Sequence, residues 1–182
     1  SIKAEIHNVF TIGNPLVETT TFGPIASRKQ FDRVNAYLNR GREEGADLHI
    51  LTTAGAIPAT GNFIQPALFD NAKNKMRIAQ EEIFGPVLSI ISFKTDDEAI
   101  HLANDVSYGL AATAWTKDLG LARRLARDLE AGEVNICATT TPAAQLYSLS
   151  IEPFGASGFG VLCGRRGLES YQRTKAVQLI TD

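Results

Sequence analysis

Cysteine is scarce in this chain. Its 182 residues hold only Cys137 and Cys163, whose wide spacing makes neither a disulfide framework nor a zinc pattern and fits a reducing, cytoplasmic setting. The histidines, His7, His49 and His101, are scattered, so no metal spacing emerges and no metal is expected. A dominant sign of charge is missing too. A net charge of −2 with interspersed signs offers no broad basic surface, which argues against nucleic acid as a partner. No apolar run approaches the length of a membrane span, and residues 1 to 10 have neither the basic start nor the apolar middle of a secretory signal. A membrane partner is not expected.

What is present is material for a core. Apolar residues make up 44% of the chain, enough for one compact domain of this length. Ser27-x-x-Gln30 reads as a capping box, and Phe31, Val34 and Leu38 then recur at helical spacing until Gly45. Asp47 to Thr52 and Phe63 to Phe69 read as extended segments, separated by a loop rich in Ala, Gly and Pro. From Val87 onward the order becomes regular: a strand over 87 to 93, a helix capped by Thr95 with Glu98 three residues on, and a strand near Leu110 to Trp115. The helix after Asp118 sets Leu121, Ala122, Leu125, Ala126 and Leu129 against a solvated face of Arg123, Arg124 and Arg127; Gly132 is expected as its C-cap glycine, and Glu133 to Cys137 form a third strand. This alternation implies right-handed crossovers and an α/β fold with a Rossmann-like, largely parallel sheet covered by helices.

The most informative string is Glu81-Glu82-Ile83-Phe84-Gly85-Pro86-Val87. If residue 83 points into the core, 82 and 84 share the opposite face of a short extended segment, and one flat, hydroxyl-rich ligand can meet both. A carboxylate accepts two hydrogen bonds from a vicinal diol such as that of a ribose, and a phenyl ring packs on a flat heterocycle. Spacing alone favours a surface glutamate beside a core phenylalanine.

That string does not stand alone. Ile12-Gly13-Asn14-Pro15, Phe22-Gly23-Pro24-Ile25, Gly45-Ala46 and Gly61-Asn62-Phe63-Ile64-Gln65-Pro66 precede it, and Tyr108-Gly109-Leu110-Ala111-Ala112, Trp115 to Leu119, Ala131-Gly132, Pro153-Phe154-Gly155 and Thr174-Lys175 follow. In this order the motifs resemble the aldehyde dehydrogenase superfamily along nearly the whole chain. The resemblance implies that Glu82 binds the hydroxyls of the nicotinamide ribose of NAD or NADP and that Phe84 packs beside the nicotinamide. It further implies a later catalytic-domain portion over residues 1–172 and an oligomerisation strand over 173–182, an edge strand that joins a sheet across subunits of a homo-oligomer.

The family's nucleophilic Cys, its water-activating Glu and its pyrophosphate-binding turn have no counterpart here, so no catalytic residue is assigned and the chain alone is expected to be inactive. Cys137 ends an apolar run and reads as an inert hydrophobe; Cys163 precedes Arg165 and Arg166, a setting that favours thiolate, but no motif places a base beside it. Gly158-x-Gly160 with Gly164 has the wrong spacing for a dinucleotide fingerprint, and these glycines read as turn residues. Between Cys137 and Pro153, where the family lines its aldehyde entrance, no family signature is found, and the stretch after Gly155 runs a few residues short. Pro153 and Phe154 are taken as substrate-side residues on the resemblance, with packing as the other explanation. The parent reaction implied is oxidation of an aldehyde to a carboxylic acid by NAD(P)+ through a Cys thioester. Two other readings stay open: a non-enzymatic interaction or oligomerisation module or truncated homologue, and a thioester-forming acyl reductase of the same superfamily.

Overall fold

The computed structural model describes residues 9–51, 57–138 and 149–181. Length alone is compatible with one domain, but the chain gathers into two compact units, Ser1–Phe93 and Lys94–Asp182.

In the first unit, helix α1 (Arg28–Glu43) begins where the sequence pattern predicts. Ser27 is extended (φ −150°), and its Oγ accepts the Gln30 backbone N–H at 3.2 Å. The buried stripe is Val34, Tyr37, Leu38 and Gly41, and the chain leaves the helix through Gly45 at φ +92°. Gly41 is needed for packing rather than for its φ, because a Cβ there would run into the Phe69 ring. The helix therefore lies close on a sheet of β1 (Asp47–Ile50), β2 (Ala67–Asp70) and β3 (Val87–Ser89). Strand β2 is central, antiparallel to β1 and parallel to β3, with Ala67 opposite Val87. Its Ala67, Leu68 and Phe69 are all buried, as expected of a strand covered on both faces. Val34, Phe69, Ile78 and Ile83 belong to one hydrophobic core, with the short helix α2 (Arg77–Gln80) closing it.

The second unit contains α3 (Asp96–Asn104), β4 (Tyr108–Gly109), β5 (Ala111–Trp115), α4 (Leu119–Asp128), β6 (Glu133–Cys137), β7 (Phe154–Gly155) and α5 (Gly164–Glu169). Thr95 caps α3 through the Glu98 N–H, and Asp118 caps α4 through the Leu121 N–H. Helix α4 is the crossover between β5 and β6, which run parallel over five residue pairs from Ala111↔Glu133 to Trp115↔Cys137. Strands β4 and β7 pair antiparallel. The architecture is thus mixed α/β with parallel ladders, Rossmann-like in its strand-helix-strand unit. Among the described residues no helix is long and apolar enough to cross a membrane.

One local expectation is corrected. Helix α4 ends on extended Leu129 rather than on Gly132. Gly132 is explained instead by close approach: a Cβ would collide with the Glu152 carbonyl, and its N–H reaches Gly109 O at 3.1 Å. The terminal segment forms no strand in the single chain. Residues 172–181 lie exposed outside any ladder, consistent with the rule that an isolated strand lacks the pairing that stabilises it. Gly158, Gly160 and Gly164 all have positive φ, in keeping with tight turns.

Candidate functional site

The segment from Glu81 to Pro86 links α2 to β3, and its backbone is satisfied in an unusual way. The carbonyl of Glu82 accepts from Arg33 Nη2 at 2.8 Å, while those of Ile83 and Phe84 both accept from Gln30 Nε2, at 2.8 and 2.9 Å. Gly85 O accepts from Val87 N and Pro86 O from Ala67 N, each at 2.8 Å. Five successive carbonyls therefore have donors, and three of these bonds come from side chains of α1. Beneath them Gly85 lies against Val34, where a Cβ would come within 2.5 Å of a Val34 methyl. Only glycine permits that approach.

Glu81 is tied at the start of the segment. Its carboxylate receives Arg77 Nε and Nη2 at 2.6 and 2.9 Å and the Tyr37 hydroxyl at 2.5 Å. Arg77, then Tyr37, hold its carboxyl down to about 2 from an ordinary value of 4.5, and the same bond to Glu81 raises the Tyr37 phenol. Arg77 is fixed in turn, since its backbone N–H donates to Glu44 Oε2 at 2.9 Å.

Against this anchored backbone, Ile83 is buried at 8% exposure while Glu82 is exposed and Phe84 is 70% exposed. Phe84 is not part of this chain's buried core. The alternation inferred for 82 to 84 holds in burial but not in backbone, because Phe84 sits at φ +55°, not in an extended conformation. For a residue with a Cβ that conformation costs roughly 1–2 kcal/mol. Phe84, Gly85 and Pro86 form one wall of a cleft of about 690 Å³, whose other wall is Phe22 to Ala26 with Gln30. The cleft is mainly apolar, with the Gln30 amide at its edge.

Of the other residues singled out from the sequence, Pro153 is half-buried and Phe154 is 48% exposed, both in the second unit, where Phe154 opens β7 opposite Gly109. Cys137 is buried and free. Cys163, also free, precedes α5, but both neighbouring guanidiniums are engaged, Arg165 with Glu169 at 2.7 Å and Arg166 with Glu152 at 2.9 Å. His7 lies outside the described residues, as do residues 139–148 of the stretch before Pro153. Sequence reasoning passed over Gln30 except as a cap, and missed Arg33, Tyr37 and Arg77 altogether. The Arg77-x-x-x-Glu81 spacing was a visible signal; the contacts of α1 with residues 81–84 span about fifty positions and carry none.

An α/β chain with a pinned loop carrying one exposed acid and one exposed ring is the class of molecule that the geometry defines. Comparison with known proteins narrows it. The aldehyde dehydrogenase family model matches residues 1–177, and the chain belongs to that family. An aldehyde dehydrogenase-like protein of Schizosaccharomyces pombe is 39% identical over 180 residues, which cover 97% of this chain and 35% of that relative. A mutant aldehyde dehydrogenase C of Pseudomonas syringae, solved with NAD+ and octanal, superposes with a TM-score of 0.84 at 37% identity, covering 97% of this chain and 36% of that one. An aldehyde dehydrogenase of Mycobacterium tuberculosis, solved with NAD+, gives a TM-score of 0.82 at 36% identity over the same shares. The chain thus spans about a third of the length of the relatives it matches.

Proposed function

We propose that this chain is the part of an NAD(P)-dependent aldehyde dehydrogenase that seats the nicotinamide end of the cofactor. The observation that carries this reading is the exposed Phe84 ring, on a loop whose carbonyls are held from α1 and beside a cleft large enough for a flat heterocycle. The ring lies outside this chain's own core, and a nicotinamide face would give it a flat partner. Glu82, exposed two positions earlier, supplies the acceptor for ribose hydroxyls. Hydride acceptance is the chemistry that NAD(P)+ contributes when bound. Glu82 and Phe84 orient the riboside end; Pro153 and Phe154 are assigned to the aldehyde side on the family resemblance alone.

The nucleophile of the parent reaction, a cysteine that adds to the aldehyde carbon and would hold it as a thioester once hydride has left to NAD(P)+, is assigned to none of these residues, so the chain by itself turns over no aldehyde. Two unpaired cysteines agree with a reducing, cytoplasmic setting. A second element of the proposal is self-assembly: Val177, Leu179 and Ile180 are all strongly exposed, and pairing of this tail across a homo-oligomer covers them.

Titration with nicotinamide mononucleotide, followed by NMR of the 182-residue chain, tests the seat. Shifts at residues 82–86 are expected, weakened about tenfold or more by Glu82→Gln, the loss of one hydrogen bond to a charged group. Perturbations scattered over the chain and unchanged in Glu82→Gln and Phe84→Ala sink the reading. Turnover of a simple aldehyde by the chain alone, dependent on Cys163, overturns its expected inactivity.

A further inference from the structure

We propose that Gln30 is a positioning residue: its amide nitrogen, bonded to the carbonyls of both Ile83 and Phe84, holds Phe84 in the left-handed backbone conformation that sets its ring at the cleft. The proposal deepens the nicotinamide-seat reading and rests on it for its purpose, though not for its geometry.

The argument is one of peptide orientation. In an extended chain, successive carbonyls point to opposite sides, so a single donor cannot reach both. The carbonyls of residues 83 and 84 flank the φ and ψ of Phe84 alone. They turn toward one side only when that residue leaves the extended region, as it does at φ +55°. Gln30 Nε2 lies 2.8 Å from the first oxygen and 2.9 Å from the second. A primary amide carries two hydrogens, one for each acceptor. Both partners are acceptors, which settles which end of the Gln30 amide faces them. The shared donor therefore fits the turned Phe84 and is incompatible with an extended one. If Phe84 relaxed to the extended region, one carbonyl would swing away from Gln30 and the ring would swing with it.

This role differs from the one that the Ser27-x-x-Gln30 spacing predicts. Ser27 Oγ does accept the Gln30 backbone N–H, but the Gln30 side chain turns its nitrogen across to residues fifty-three and fifty-four positions on.

The test uses variants that keep the side chain's size. Gln30→Leu removes both donors, and Gln30→Glu presents acceptors to two carbonyls. Arg33→Leu is the companion variant, because it frees the Glu82 carbonyl, together with the Tyr37 hydroxyl and ring that Arg33 also meets, and leaves the pair at Gln30 intact. Backbone three-bond couplings and carbon shifts of Phe84 report its φ without any ligand. The expected result is that Phe84 leaves the left-handed region in both Gln30 variants and stays there in Arg33→Leu, with thermal midpoints close to the parent's. Affinity for nicotinamide mononucleotide should then fall about tenfold in Gln30→Leu and further in Gln30→Glu. Unchanged Phe84 couplings in a folded Gln30→Leu protein overturn the proposal, and so does a moved Phe84 with unaltered affinity. If Gln30→Glu fails to fold, Gln30→Leu and the rescue of the Phe84 couplings by Gln30→Lys, which restores donors, decide it. A parent chain that binds no nicotinamide mononucleotide refutes the seat and the purpose of the clamp together, while the couplings still report separately whether Gln30 holds the turn.

Discussion

Phe84-Gly85 and Phe154-Gly155 are the same dipeptide held in two different ways. In the first unit the phenylalanine itself takes the left-handed position, at φ +55°, and side chains of α1 bind the carbonyls around it. In the second unit the glycine takes it, also at φ +55°, and the hold comes largely from main chain: β7 pairs with β4, and Ala156 N–H donates to Ser107 O at 2.7 Å. Glycine adopts that conformation without steric cost, so ordinary ladder bonds suffice. A phenylalanine does not, and the turn persists only where its surroundings over-determine it. Strain placed on the ring-bearing residue, with extra donors to hold it, agrees with the seat proposed at the first dipeptide.

Substituting the two glycines breaks the comparison most directly. At Gly155 a methyl group meets the Ser107 carbonyl, which is backbone and cannot move aside, and the left-handed φ adds strain. Gly155→Ala is expected to cost ~2–5 kcal/mol, the sum of overpacking and left-handed strain. At Gly85 the collision is with Val34 methyls, with no positive φ to worsen it. Gly85→Ala should cost about 1–3 kcal/mol, since a side chain can shift a little where a carbonyl cannot. Urea denaturation of both variants, read with a probe in each unit, gives the order; a Gly85→Ala protein less stable than Gly155→Ala removes the distinction between the two holds.

Phe84→Asn sharpens the same comparison from the other side. Asparagine tolerates the left-handed region, and the Phe84 ring is mostly in water, so the change relieves strain while surrendering little buried surface. The variant should be as stable as the parent or up to about 1 kcal/mol more so, yet lose its response to nicotinamide mononucleotide. A loss of stability above that scale in denaturation would show that the ring packs on something after all.

How much of this was legible beforehand depends on distance along the chain. Ser27, Thr95 and Asp118 announce their helices because a cap acts three residues away, and the strand at Glu133 to Cys137 follows from its apolar run. Exposed Glu82 and Phe84 around buried Ile83 were readable as a two-residue alternation. The left-handed φ of Phe84 was not, because no local rule places a phenylalanine there; the cause lies on Gln30, far upstream. Gly132 was misread for a similar reason, its constraint coming from Glu152 rather than from the helix it follows. The terminal segment alternates as a strand should, but a strand needs a second strand, and none of the described residues pairs with it.

The smallest expected effect concerns the tether at Glu81, whose counterpart beside the Phe154 loop is the Glu152–Arg166 pair at 2.9 Å. Arg77 and Tyr37 lower the Glu81 carboxyl from 4.5 to about 2 in the folded chain. A carboxyl whose folded value lies below its unfolded one contributes stability that is complete above the unfolded value and is lost as pH falls through the folded value. The contribution is therefore intact above about pH 4.5 and fades between there and about pH 2. Both partners of the ion pair are partly exposed, so solvent screening keeps the effect small. Comparing the parent with Glu81→Gln isolates it: the parent should have the higher urea midpoint at neutral pH, and the gap should close on acidification across that window. A gap that is constant from pH 6 to pH 2 would mean that the carboxylate's charge is not what ties residue 81 to Arg77 and Tyr37, and that the geometry of the tether rests on packing alone.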